Sequence, residues 1–207
     1  GIEIDTPDNG GLTALHWACQ NGKCQIVDYM VNSDKRADVN KKDEEGWTPL
    51  HWAAQNNHFD VINELCKDDR TDVNIKDKQG FTPFLIAVLN SAEESLPIFL
   101  SNKKVEIDAR DADGKSALHL AVRAGNPKII KILLDDGRID VNAKQENNLT
   151  PLHLAVASKN IEIVGILLSA KGINPDQEDD EGTTPLMAAS ILGYSEIEDL
   201  LKSHLKK

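Results

Sequence analysis

Thr48-Pro-Leu-His-Trp-Ala53 is one of six related stretches, the others being Thr13-Ala-Leu-His-Trp-Ala18, Thr82-Pro-Phe-Leu-Ile-Ala87, Ser116-Ala-Leu-His-Leu-Ala121, Thr150-Pro-Leu-His-Leu-Ala155 and Thr184-Pro-Leu-Met-Ala-Ala189. Successive starts lie 35, 34, 34, 34 and 34 residues apart, and the series spans the 207-residue chain. So regular a period marks a stack of like units. None of them can bury its apolar face alone, so neighbours supply the core between them.

Each unit repeats the same local chemistry. Two residues before the Thr or Ser stands Gly11, Gly46, Gly80, Gly114, Asn148 or Gly182. Gly and Asn accept a left-handed backbone, so a turn is expected there. The hydroxyl then caps a helix, and the Pro suits its first position. The Leu-His-x-Ala run predicts a short helix with small residues on one side. Nine residues after the Thr a second break falls at Gly22, Asn57, Gly125 and Gly193, from which Ser91 and Lys159 depart. A second amphipathic helix follows, as in Lys128-Ile-Ile-Lys-Ile-Leu-Leu134 and Glu162-Ile-Val-Gly-Ile-Leu-Leu168, with apolar residues at helical spacing. Asn126 and Pro127 read as an N-cap and first helical residue. An extended Asp-Val-Asn closes the unit at 38–40, 72–74 and 140–142.

This combination of period, turn glycine, Thr-Pro-Leu-His and Asp-Val-Asn resembles the ankyrin repeat, and the resemblance covers essentially the whole chain. It implies an all-α solenoid of stacked helix-turn-helix units with projecting hairpin loops. On this reading 1–207 form a single domain of six repeats, approximately 5–39, 40–73, 74–107, 108–141, 142–175 and 176–207. The Thr-Ala-Leu-His-Trp-Ala and Gly-Trp-Thr-Pro-Leu-His units also resemble those of gankyrin-like proteasome-assembly chaperones, although such units are widespread among ankyrin proteins.

The ends and the middle differ from the rest. In the last repeat Glu198 stands where others have Val27, Ile62, Ile130 or Val164, which predicts a polar C-terminal cap. Glu3-Ile4-Asp5 aligns with the Asp-Val-Asn that closes a preceding repeat, and the first repeat is as apolar as an internal one. Further repeats or a capping element upstream are therefore expected, and the missing initiator Met fits a fragment or processed chain. The third repeat has Leu85 in place of His and carries Pro97 in its second helical segment. Unless that helix starts near Ser95, the proline breaks it; in either case the helix is shortened or bent. Ordinary drift within a repeat array accounts for this better than a hinge or a local binding feature does.

The 23 Lys and Arg against 34 Asp and Glu give a net charge of −11, which opposes binding to nucleic-acid phosphates or to anionic membranes. The longest apolar run, 84–89, is far short of the ~20 residues that span a bilayer. No signal peptide is evident. Cys19, Cys24 and Cys66 are an odd set without ligand spacing, so free, mostly buried thiols and an intracellular location, cytoplasmic or nuclear, are expected. A monomer is expected.

His16, His51, His119 and His153 share one repeat position. The resemblance implies that each hydrogen-bonds backbone at a repeat junction. Equivalent positions in stacked repeats lie about 10 Å apart, too far for shared metal ligation. With no nucleophile, zinc-protease or phosphate-loop motif present, no catalytic residue, metal or cofactor is assigned, and the chain is read as a non-enzyme.

Recognition is expected where the repeats disagree. The resemblance implies a concave face made by hairpin tips and first helices. The position before the Thr or Ser holds Leu12, Trp47, Phe81, Lys115, Leu149 and Thr183, the first three large and apolar. Gln20, Asn21, Gln55 and Asn56 follow the first helices, and Lys115 with Arg123 adds positive charge. Leu12, Trp47, Phe81, Gln20, Asn21, Gln55, Asn56, Lys115 and Arg123 are thus the candidate partner-binding residues. Trp47 and Phe81 are the candidate anchors, expected to contribute little to stability. Trp17 and Trp52 are read as packing between repeats. Asp8, Asp43, Asp77, Asp111 and Asp179 are read as turn caps, and Glu44, Glu45, Asp180 and Glu181 as a field that steers a partner. Two functions fit: a protein-interaction module that binds a protein or peptide through the concave face, or a regulatory or targeting domain cut from a larger enzyme, effector or channel.

Overall fold

The computed structural model describes residues 4–34 and 36–206. Among these residues there are twelve α-helices and no sheet: α1 Ala14–Gln20, α2 Cys24–Asp28, α3 Pro49–Gln55, α4 Phe59–Lys67, α5 Pro83–Leu89, α6 Leu96–Ser101, α7 Ala117–Ala124, α8 Pro127–Asp136, α9 Pro151–Ala157, α10 Ile161–Leu168, α11 Pro185–Ile191 and α12 Ser195–Leu205. The chain divides after Asp111 into two compact units. In the first, α1, α3 and α5 pack side by side in one layer and α2, α4 and α6 in another. In the second, α7, α9 and α11 form one layer and α8, α10 and α12 the other.

Thr13, Thr48, Thr82, Ser116, Thr150 and Thr184 are the N-caps of the first helices, all in extended backbone, and Pro opens four of those helices. The glycine turn is also where the spacing puts it. Gly11 has φ 81°, and a Cβ there would stand 2.9 Å from the Glu44 backbone nitrogen of the next hairpin, so neighbouring tips approach closely enough to exclude a side chain. The second break is left-handed in all six repeats. Ser91 (φ 57°) and Lys159 (φ 56°) adopt the conformation of Gly22 and Gly125 despite their side chains.

Leu15, Leu50, Phe84, Leu118 and Leu152, which share one repeat position, are fully buried with Val27, Ile62, Ile130 and Val164 from the second helices. The Asp-Val-Asn segments connect repeats: Asn40 Nδ2 donates to Arg70 O while its Oδ1 accepts from Asp72 N. Asn74 does the same with Lys104 and Glu106, and Asn142 with Gly172 and Asn174. Asp5 takes the acceptor half of this role toward Asp38 N, as the alignment of Ile4-Asp5 requires; Glu3 lies outside the described residues.

Three irregularities have local causes. The extra residue of the first repeat falls where α2 widens into a π-helical turn, Tyr29–Asp34, a usual accommodation of a one-residue insertion. The α6 helix starts after Ser95, which places Pro97 in its first turn and leaves a helix of six residues. The buried Ser95 Oγ donates to Asn57 Oδ1 at 2.6 Å. In the last repeat Glu198 does give α12 a polar side and pairs with Lys202 at 2.5 Å. The cap is only half polar, however, because Met187, Ile191 and Leu192 in and just after α11 stand exposed.

Candidate functional site

The shared histidines are the first element of the site, since they set the first helices against the next hairpin. Thr48 N–H donates to His51 Nδ1 at 3.1 Å, so the imidazole proton sits on Nε2, which donates to Phe81 O at 3.0 Å. His16 reaches Trp47 O in the same way, His119 reaches Leu149 O and His153 reaches Thr183 O. All four rings are buried. Burial is the main cause that lowers the pKa of His16, His51 and His153 and keeps these rings neutral.

The hairpin tips are the second element. Asp43 Oδ1 accepts from Glu45 N and Trp47 N, and Asp8, Asp77 and Asp179 cap their turns in the same way. Backbone N–H donors hold Asp8 and Asp179 below the usual carboxylate range. The second carboxylate oxygen has a role the sequence reading did not assign: it accepts an indole N–H. Trp17 Nε1 donates to Asp8 Oδ2 at 3.0 Å, Trp52 Nε1 to Asp43 Oδ2 at 2.9 Å and Trp47 Nε1 to Asp77 Oδ2 at 2.9 Å. The signal was available, because Asp8 to Trp17 and Asp43 to Trp52 are both nine residues apart.

These bonds revise the expectations for the tryptophans. Trp47 is half-buried, stacks on His51 with ring centroids 5.9 Å apart and tilts against Trp52 at 4.9 Å. It is therefore a structural side chain as well as a surface one, contrary to the expectation of a minor stability role. Trp17, expected to pack, is 50% exposed, while Trp52 is half-buried. Leu12 and Phe81 are half-buried beside their hairpins. Asn21 and Asn56 spend an amide N–H on Trp17 O and Trp52 O of their own helices. Gln55 is exposed, and the half-buried Gln20 has its Oε1 shielded without a hydrogen-bond partner. In the second unit Lys115 pairs with Asp113, Arg123 is exposed, and both line a cavity of about 280 Å³ with His119, Val122, Gln145 and Leu154.

Desolvation raises all three thiols, that of Cys66 to about 11, so they stay protonated at neutral pH. Among the described residues no three His, Cys, Asp or Glu side chains are placed to hold a metal ion. No helix among them is long and apolar enough to cross a membrane.

Capped helix pairs that recur six times along the chain, bridged within each unit through imidazole–carbonyl and Asn bonds and carrying hairpin tips, are the architecture of an ankyrin-repeat protein. The chain belongs to that family: the model of ankyrin repeats matches residues 1–77, 69–145 and 138–206. No curated protein sequence matches it. Among solved structures it is similar to the ankyrin repeat domain of Bcl-3, described as a unique member of the IkappaB protein family, at 25% identity and a TM-score of 0.88, covering 97% of this chain and 86% of that one. It is also similar to EF0377, an ankyrin repeat protein, at 26% identity and a TM-score of 0.84, covering 98% of each chain. An ankyrin repeat domain from Acinetobacter baumannii AYE, ABAYE2397, aligns at 29% identity with a TM-score of 0.81, covering 92% of this chain and 96% of that one. Ankyrin repeats are in general protein–protein interaction modules, and domains of this kind are typically non-catalytic.

Proposed function

We propose that this chain is a non-catalytic interaction module that binds a partner protein or peptide on the face formed by its first helices and hairpin tips. The observation that carries the reading is Trp17. Its indole N–H is held by Asp8 while half of its surface faces solvent, so an aromatic anchor is fixed in position yet available. Aromatic residues pre-organised in this way are typical interface anchors, because little side-chain freedom is left to lose on binding. Leu12, Phe81 and the exposed Gln55 extend the surface within the first unit, and Lys115 and Arg123 supply positive charge in the second.

The test compares proteins captured from lysate by the wild-type chain, by Trp17→Ala and by Lys131→Ala, an exposed residue of α8 in the other helix layer. A partner anchored on the face should lose about tenfold or more in affinity with Trp17→Ala and nothing with Lys131→Ala. A partner indifferent to Trp17 but weakened by Lys131→Ala would move the binding surface to the second helices.

A further inference from the structure

At two junctions of the first unit the chain fills the space beside a hairpin-tip carboxylate with its own indole. Trp52 sits there with its N–H on Asp43, and Trp47 with its N–H on Asp77. Counted from the Thr or Ser that opens each repeat, the residue that matches Trp52 in the fifth repeat is Leu154. Lys115 of the fourth repeat matches Trp47, and Gln145 matches Asp43 and Asp77. The three tryptophans of the chain are Trp17, Trp47 and Trp52, so the second unit has no indole to place at this junction. A cavity of about 280 Å³ stands in that position, lined by Lys115, Val122, Arg123, Gln145, Leu154 and Ala157 among others. Gln145 Oε1, in the place of the accepting carboxylate oxygen, is buried without a hydrogen-bond partner.

We infer that this cavity is a pocket for a tryptophan side chain supplied by a partner segment, with an acidic residue next to that tryptophan facing Arg123. Three features select this occupant. The volume falls just short of a small-molecule site, which suits a single side chain. The walls from Val122, Leu154 and Ala157 are apolar, and the orphaned amide oxygen calls for an N–H donor, which indole has and phenyl lacks. The terminal torsion of a glutamine is broad, so the amide can turn its oxygen toward an incoming donor. With the Lys115 ammonium already paired to Asp113, exposed Arg123 then favours a carboxylate beside the anchor over a cation. The inference rests on reading the hairpin and first-helix face as the binding face, and it names what that face takes in the second unit.

The probe is the blocked dipeptide N-acetyl-Trp-Glu-amide, titrated into the full chain and followed by methyl and side-chain amide NMR. Saturable shifts are expected at Val122, Leu154 and the Gln145 amide but not at Leu12 or the Gln55 amide. The Phe analogue should bind about fivefold more weakly, the usual effect of one net hydrogen bond. Leu154→Trp, which supplies the indole from within as Trp52 does, should abolish saturation; Ala157→Leu, at an exposed rim position, should also block it. Arg123→Glu should reverse the preference for N-acetyl-Trp-Glu-amide over N-acetyl-Trp-Lys-amide. Absence of saturable shifts, equal binding of Trp and Phe probes, or binding that survives both blocking variants would overturn the inference. Failure here with Trp17-dependent partner capture intact removes only this pocket. Binding here with capture indifferent to Trp17 removes instead the anchor assigned to the first unit.

Discussion

His51→Leu tests the stacking chemistry directly, and the third repeat already carries Leu85 at the equivalent position. The substitution removes the Nδ1 acceptor of Thr48 N–H and the Nε2 donor to Phe81 O, both at about hydrogen-bond optimum in a buried site. Each orphaned buried group costs about 1–3 kcal/mol, and the leucine recovers about 1–2 kcal/mol of apolar burial. A net loss of about 1–4 kcal/mol follows, which for a chain of this length lowers the melting temperature by roughly 2–16 °C. The pH dependence gives a sharper reading. Burial lowers the pKa of His51 in the folded chain, so below about pH 6.5 the unfolded chain binds the proton that the folded one refuses. Stability from this group is therefore complete above the unfolded pKa and declines as pH falls toward the folded one, by at most about 1.4 kcal/mol per pH unit. His16 and His153 shift in the same direction and add to the slope. Urea unfolding followed by circular dichroism across the range from about pH 7.5 to 5.5 should show falling wild-type stability and a shallower fall for His51→Leu. A variant with unchanged midpoint, or a wild-type chain whose stability is flat over this window, would refute the neutral buried imidazole as a junction element.

Leu152→Ala removes a fully buried side chain and should cost about 2–5 kcal/mol in urea unfolding. An unchanged midpoint would contradict the repeat register. Asn142→Ala deletes the bonds to Gly172 O and Asn174 N, both 2.8 Å, and should cost about 1–3 kcal/mol, whereas exposed Lys144→Ala should stay within about 0.5 kcal/mol. Thiol-specific labelling at neutral pH should be slow for Cys66 and slower still for the fully buried Cys19 until the chain unfolds. Rapid labelling of Cys19 in the native state would contradict its burial.

The sequence is most explicit where one side chain dictates one backbone act. Thr and Pro mark a helix start, and Gly11 marks a left-handed turn. It is less explicit at Ser91 and Lys159, where neighbouring repeats impose a left-handed conformation that the side chain itself disfavours. The groove residues were only partly legible. Asn21 and Asn56, with Asn90 in the third repeat, each spend an amide N–H on a carbonyl of their own helix end, a local demand that does not depend on a partner. Trp47 was legible as a large apolar residue at a variable position, but not as a hydrogen-bond donor to Asp77, since that bond joins residues thirty apart on different repeats.

The two polar systems of the fold divide its positions into those that must repeat and those free to differ. The imidazole and Asn bridges lie inside the junctions, bond backbone groups and do not depend on which side chain lines the groove. The tip carboxylate faces both ways: one oxygen closes its own turn and the other reaches a groove side chain. An indole at that groove position is therefore held rather than merely exposed. Where the position lacks an indole, as at Leu154, a cavity and an unbonded amide oxygen remain beside it. The first unit thus holds indoles at these positions, and the second has a cavity at the matching one.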